Sequence, residues 1–307
     1  MPFHSESQRR YLWVHEPEIA RRWAHEVGLG LTIPANPWIR YGVPAAALLL
    51  TLFAGRKRIG TGVRVVWNAA KIEILTNISP SIVRPYISHV VAAADRHRVG
   101  VFQLIGLGSR ESGWGVFLRP KGPAGVGDPT PRFVKTPSEW MKEDGLVTSE
   151  RDAKGRIKIL PPALGPSGER GWGVGLMQID YASFREWVKT GAWRDPRANI
   201  MKGAEVYAAK IAFLTRSPSS PWVVLEKAAA GQRGVQPGRY NDPRPLKGEV
   251  LLRAALAAYN TGEMNVLRSI AAGVEVDRTT TGKDYSTDVI GRGREVAAAF
   301  KKAGGVA

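Results

Sequence analysis

The chain of 307 residues has no cysteine. Disulfides, thiolate metal sites and cysteine nucleophiles are therefore excluded, while the cellular compartment stays open. Histidine is scarce: there are five, all before residue 98, and none at metal-ligand spacing. Neither a metal nor a cofactor is expected. Acidic residues are in short supply, 27 against 44 basic ones, which leaves a formal charge of +17. Such an excess implies a polyanionic partner: nucleic acid, anionic lipid or an acidic cell wall. Nucleic acid is the least favoured, because zinc-finger spacing, an RNP-like aromatic motif and long Lys/Arg runs are all missing. The densest basic cluster is Arg56-Lys57-Arg58, and no internal repeat is present.

Long apolar runs are also lacking. The best, "VPAAALLLTLFA" at 43–54, falls short of the about 20 residues that a bilayer requires. Extended back to Trp38, the stretch 38–55 has aromatic residues at one end and the basic cluster beyond the other, as membrane helices often do. Two readings stand: a buried core helix, or a membrane-associated segment in which Arg40 snorkels. The first 40 residues mix charges of both signs, and no cleavable signal peptide is expected.

What is present is mostly helical patterning. Short helices are expected over 16–28 and across "GTGVRVVWNAAKIEIL". Another should start at Ser79-Pro80 and close at Gly100, followed by one over 101–115 with Val101, Leu104, Ile105 and Ser109 on its buried side. Further helices are expected near 181–190, from Asp195 or Asn199 onward, through "GEVLLRAALAAYNTGEMNVL" with a break at Asn260-Thr261-Gly262, and from about Tyr285 to Lys302. Pro/Gly-rich insertions occupy 116–167, where "AKGRIKIL" looks like half of a hairpin, and 216–247. The fold class expected is mainly α, with residues 1–78 as an N-terminal region and 79–307 as a second domain.

Glu111 ends an apolar helix just before a glycine turn. A carboxyl there is either solvated or set against an apolar wall, where burial raises its pKa and makes it a general acid. "GERGWGVGLMQID", 168–180, concentrates glycines around Glu169, Gln178 and Asp180. Glycine that dense serves a backbone that turns sharply or that something approaches closely.

"SRESGWG", "GLMQID", "AAYNTGEMNV" and "KDYSTDVIGR" occur in this order. Together they resemble the goose-type lysozymes and the related soluble lytic transglycosylases, over about residues 79–303. The resemblance implies a lysozyme-like helical catalytic domain around a cleft for peptidoglycan glycan strands. It makes Glu111 the catalytic acid and gives Asp180, and Glu169 where the family more often shows Asp, the task of positioning water. Ser112, Gly175, Met177, Gln178, Tyr259, Asn260 and Tyr285 would line the substrate. The implied activity is a muramidase; a lytic transglycosylase, which lets the sugar's own 6-hydroxyl attack, is the alternative. Asp180 has a second reading as a cap for the segment from Tyr181, and Glu169 as a solvated loop residue. On this view the glycines of 168–180 admit a glycan, and Trp114 and Trp172 either stack on sugars or pack in the core. The region before residue 79 has no counterpart in the resemblance. It suits a virion-associated phage enzyme, then a lysis enzyme, then a bacterial envelope enzyme. Other virion proteins and a membrane are the further partners expected. A structural virion or membrane protein with an inactive lysozyme-like domain is the alternative of another class.

Overall fold

The computed structural model describes residues 59–218 and 241–305, with side chains from Asn68 onward. The expected helix at 16–28, the apolar run at 38–55 and most of the 216–247 stretch lie outside the described residues. The described chain is mainly helical, as expected. It divides into two compact units. Residues 59–88 and 296–305 fall in one, and His89–Glu295 form the other.

In the first unit, helix α1 (Ile59–Ile78) covers the stretch for which a helix was expected against its β-branched content. The next helix does not begin at Ser79. The Ser79 amide donates to Leu75 O at 2.9 Å, so it completes the last turn of α1 rather than capping anything new. Pro85 then sits in a 3-10 turn, Arg84–Tyr86. Proline has no amide to donate and restricts the residue before it, so helix α2 starts only after it, at Ile87–His97. Gly100 does not close that helix. It is the extended residue that caps the start of α3 (Val101–Glu111).

α3 also stops short of the expected 115. Gly113 and Trp114 have positive φ, 56° and 55°, which no right-handed helix accommodates. Leu104, Ile105 and Leu107 are buried on α3. Gly106 is needed here, because a Cβ would collide with the carbonyl of Val289 on α9 (Tyr285–Lys302). The two helices therefore touch backbone to backbone.

The 116–167 insertion is structured rather than an open loop. β2 (Arg132–Val134), β3 (Val147–Arg151) and β4 (Ile157–Ile159) form an antiparallel sheet in the order β2-β4-β3, with the short helix α4 (Glu139–Glu143) between β2 and β3. β1 (Val126–Gly127) pairs instead with β5 (Gly173–Val174), which pairs with β6 (Ile179–Asp180). α5 (Arg185–Lys189) follows. α6 (Pro196–Thr215) is capped by Asp195, whose carboxylate accepts from the Arg197 amide at 3.0 Å. α7 (Gly248–Thr261) and α8 (Glu263–Ala271) are separated at Gly262, φ 84° and ψ 149°. That backbone region is essentially restricted to glycine.

Candidate active site

Glu111 is the last residue of α3. Its side chain keeps partial solvent contact, while the carboxyl group is enclosed by protein. The Tyr285 hydroxyl donates to Glu111 Oε1. Burial pushes the Glu111 carboxyl up to about 7, against the opposing pull of the Tyr285 hydrogen bond and the Arg110 charge. Burial and the nearby Glu111 charge likewise push the Tyr285 and Tyr259 hydroxyls well above the usual phenol value, so both stay protonated donors.

Arg110 builds the frame that presents Tyr285. Its guanidinium donates to Asp288 Oδ2 at 2.7 Å, to Asp284 Oδ1 at 2.9 Å and to Thr281 O at 3.0 Å. Asn260 grips the same residue from the other side, its Oδ1 accepting from the Thr281 amide at 2.9 Å. Asn260 is thus held by protein at its oxygen. Such charge-assisted bonds are the strong ones, and here they fix the segment that leads into Tyr285.

The Gly175–Gln178 turn between β5 and β6 is tied to the same neighbourhood. Ser112 Oγ, buried, donates to Leu176 O at 2.7 Å, and the Tyr259 hydroxyl donates to Met177 O at 2.8 Å. Buried Asn199 holds the turn from below: its Oδ1 accepts from Met177 N at 2.8 Å and its Nδ2 donates to Val174 O at 3.1 Å. Gln178 folds back, Nε2 donating to Gly175 O at 2.8 Å.

These contacts correct the expectation that glycines 171, 173 and 175 admit a sugar. A Cβ on Gly171 would meet the Gly127 carbonyl, one on Gly173 the Gln178 amide, and one on Gly175 the Asn199 amide. What approaches the glycines is the protein itself. Trp114 and Trp172 are also core residues, 3% and 1% exposed. The Trp172 indole donates to Thr130 O at 2.9 Å.

Asp180 ends β6, at most about 14 Å of chain from Leu176. Its Oδ1 accepts from Arg132 Nη2 at 2.9 Å, and its Oδ2 accepts from the Ser183 amide at 2.9 Å and the Ser183 hydroxyl at 2.8 Å. It therefore caps the turn after Tyr181 and pairs with a cation from the insertion. Arg132 also lies 4.3 Å from the Trp172 ring centroid. Glu169 lies in a tight turn, its Oε2 accepting from the Ser167 amide at 3.0 Å.

Sequence reasoning passed over Arg110, Arg132, Asn199 as a turn clamp, and Thr281. Arg110 had a usable signal, since it directly precedes the acid. Arg132 had none: nothing local marks an arginine that pairs with a residue far along the chain. Among the described residues no cluster of His, Cys, Asp and Glu fits a metal ion.

The site thus brings together an acid with a raised pKa held by a tyrosine and a hairpin that ends in the carboxylate of Asp180. The chain is similar to lysozyme g of Takifugu rubripes, 34% identical over 129 residues, which cover 41% of this chain and 52% of that protein. It therefore spans about half the length of the curated relative it matches. No family model matches the chain.

Proposed function

We propose that the protein cleaves the β-1,4 glycosidic bond between MurNAc and GlcNAc in peptidoglycan glycan strands. Glu111 gives its proton to the glycosidic oxygen as that bond breaks. A water oriented by Asp180 attacks the anomeric carbon and passes its proton to the Asp180 carboxylate. The observation that carries this reading is the enclosed Glu111 carboxyl under the Tyr285 hydroxyl, pushed up to about 7 and so still substantially protonated at neutral pH. The similarity to a lysozyme g supports the substrate class. A net charge of +17 suits an anionic wall, with the bacterial envelope as the place of action.

One observation favours the transglycosylase route. Both Asp180 oxygens are already engaged, one by Arg132 and one by Ser183. Unless that pair opens, the sugar's own 6-hydroxyl takes the place of water. The mass of the products decides: hydrolysis leaves a reducing sugar, and the internal attack leaves an anhydro end lighter by one water. A blank zymogram with folded protein would instead support the inactive-domain reading.

A further inference from the structure

Three half-exposed aromatic rings are distinct from the two buried tryptophans that the sequence offered as sugar platforms. Trp140 on α4, with Phe184 and Trp187 at α5, lines a cavity of about 370 Å³ together with Ser183, Arg185 and Glu186. All three rings are of intermediate exposure, and the volume falls at the small end of ligand pockets, about 300–1,000 Å³.

The rings are fixed in place. Arg185 lies 5.9 Å from the Trp140 centroid and is itself clamped by Asp144, Nε to Oδ2 at 2.6 Å and Nη2 to Oδ1 at 2.9 Å. Tyr181 braces the other side of this cluster, its ring centroid 6.2 Å from that of Trp140 and its hydroxyl donating to Asp144 at 2.7 Å. The Lys202 ammonium sits 4.9 Å from the Phe184 centroid and 6.0 Å from that of Trp187, and Glu205 holds it at 2.6 Å. Rings immobilised beforehand lose little entropy when a ligand stacks on them.

The cavity shares one residue with the surroundings of Asp180. Ser183 lines it and also donates its amide and hydroxyl to Asp180. A ligand in the groove thus reaches the residue that holds the second carboxylate. The lining is apolar ring surface edged by a hydroxyl, a guanidinium and a carboxylate. That pattern matches a pyranose, whose C–H faces are apolar and whose rim is hydroxyls.

We propose that the groove between α4 and α5 is an outlying subsite that stacks a sugar ring of the same glycan strand on the Asp180 side. The proposal rests on the glycan-cleaving reading of Glu111. Because α4 belongs to the 116–167 insertion, this subsite would make the insertion a length-selecting device: long strands reach it and short oligosaccharides do not.

The test uses the full chain carrying Glu111→Gln, so that ligands survive. Calorimetric titration with β-1,4-linked GlcNAc oligomers of increasing length is compared with and without Trp187→Ala or Trp140→Ala. The affinity for the longest oligomers should fall several-fold to about tenfold, that for the shortest should not change, and Trp187→Phe should restore most of the loss. Equal affinity for long oligomers in the folded alanine variants, checked by circular dichroism, overturns the subsite and leaves the cleavage reading intact. Equal losses at every length also overturn it, since they indicate a general disturbance. If oligomers of no length bind and wild-type protein clears no wall zymogram, the cleavage reading itself falls, and the subsite with it.

Discussion

At the residue scale the decisive group is Glu111. Replacing it with Gln preserves shape and the ability to accept from Tyr285, and removes the transferable proton. General acid–base catalysis contributes typically about 10²–10⁴-fold, so wall-clearing activity should fall by at least about 100-fold. The same substitution should affect stability with a definite sign. The folded state holds the Glu111 proton up to about 7, above the ordinary carboxyl value of 4.5. The stability this confers is present below about 4.5 and is lost as the pH rises to about 7, up to about 3 kcal/mol by the conversion of pKa shift to free energy. A neutral Gln escapes that loss. Thermal melts should therefore show Glu111→Gln more stable than wild type at pH 8 and nearly equal at pH 4, and an unchanged difference across that range would contradict a buried acid. Wild-type activity should decline through about pH 7 as the proton leaves. Asp180→Asn is expected to leave the acid working while weakening the hold on water. Product mass spectra should then shift from reducing ends toward anhydro ends. A variant that loses both products equally would mean that Asp180 serves the fold rather than the chemistry.

At the scale of elements, the break between α7 and α8 is a backbone device. Gly262 has φ 84° with open space where a Cβ would go. Gly262→Ala should thus destabilise through conformation alone, by roughly 1–3 kcal/mol, measurable as a lower urea midpoint. It should also cut activity, since Tyr259 and Asn260 precede the break. That break could be read in the sequence, because Asn-Thr-Gly interrupts an apolar helical run. Asp195-Pro196 and the Tyr285–Lys302 span were equally legible, since caps and periodicity act within a few residues. No helix starts at Ser79-Pro80, because the Ser79 amide completes the last turn of α1 and Pro85 intervenes before α2. Of the glycines in 168–180, Gly171, Gly173 and Gly175 are sites of close approach, and Gly168 instead serves a turn with open space around it. The approaching groups come from Gly127, Gln178 and Asn199, and only the fold shows that. The pairing of Arg132 with Asp180, 48 residues apart, leaves no local trace at all.

At the scale of the whole molecule, the 116–167 insertion is part of the architecture. β1 extends the hairpin that carries Asp180, Arg132 binds Asp180, and Asp144 collects the Tyr181 hydroxyl, Arg185 and Lys189. Replacing 120–165 by a short Gly/Ser linker should therefore lower the melting temperature sharply and abolish activity. Removing Asp144 alone strands several donors and should destabilise by about 2 kcal/mol or more. Changes at exposed Lys154, on the β3–β4 tip, should be tolerated. A linker variant that melts like wild type would show the insertion to be an ornament.

Thr281 is gripped by Arg110 from 171 residues away and by Asn260 from 21. Three distant stretches must meet before Tyr285 comes to rest on Glu111. Contacts this remote in sequence form late, because the intervening chain must first be gathered in. A nascent or nicked chain therefore has an ordinary, ionised glutamate at position 111, and the acid exists only once the C-terminal helix has docked. On the proposed reading of Glu111, wall-clearing activity should therefore return last on refolding, after the helical signal has already recovered.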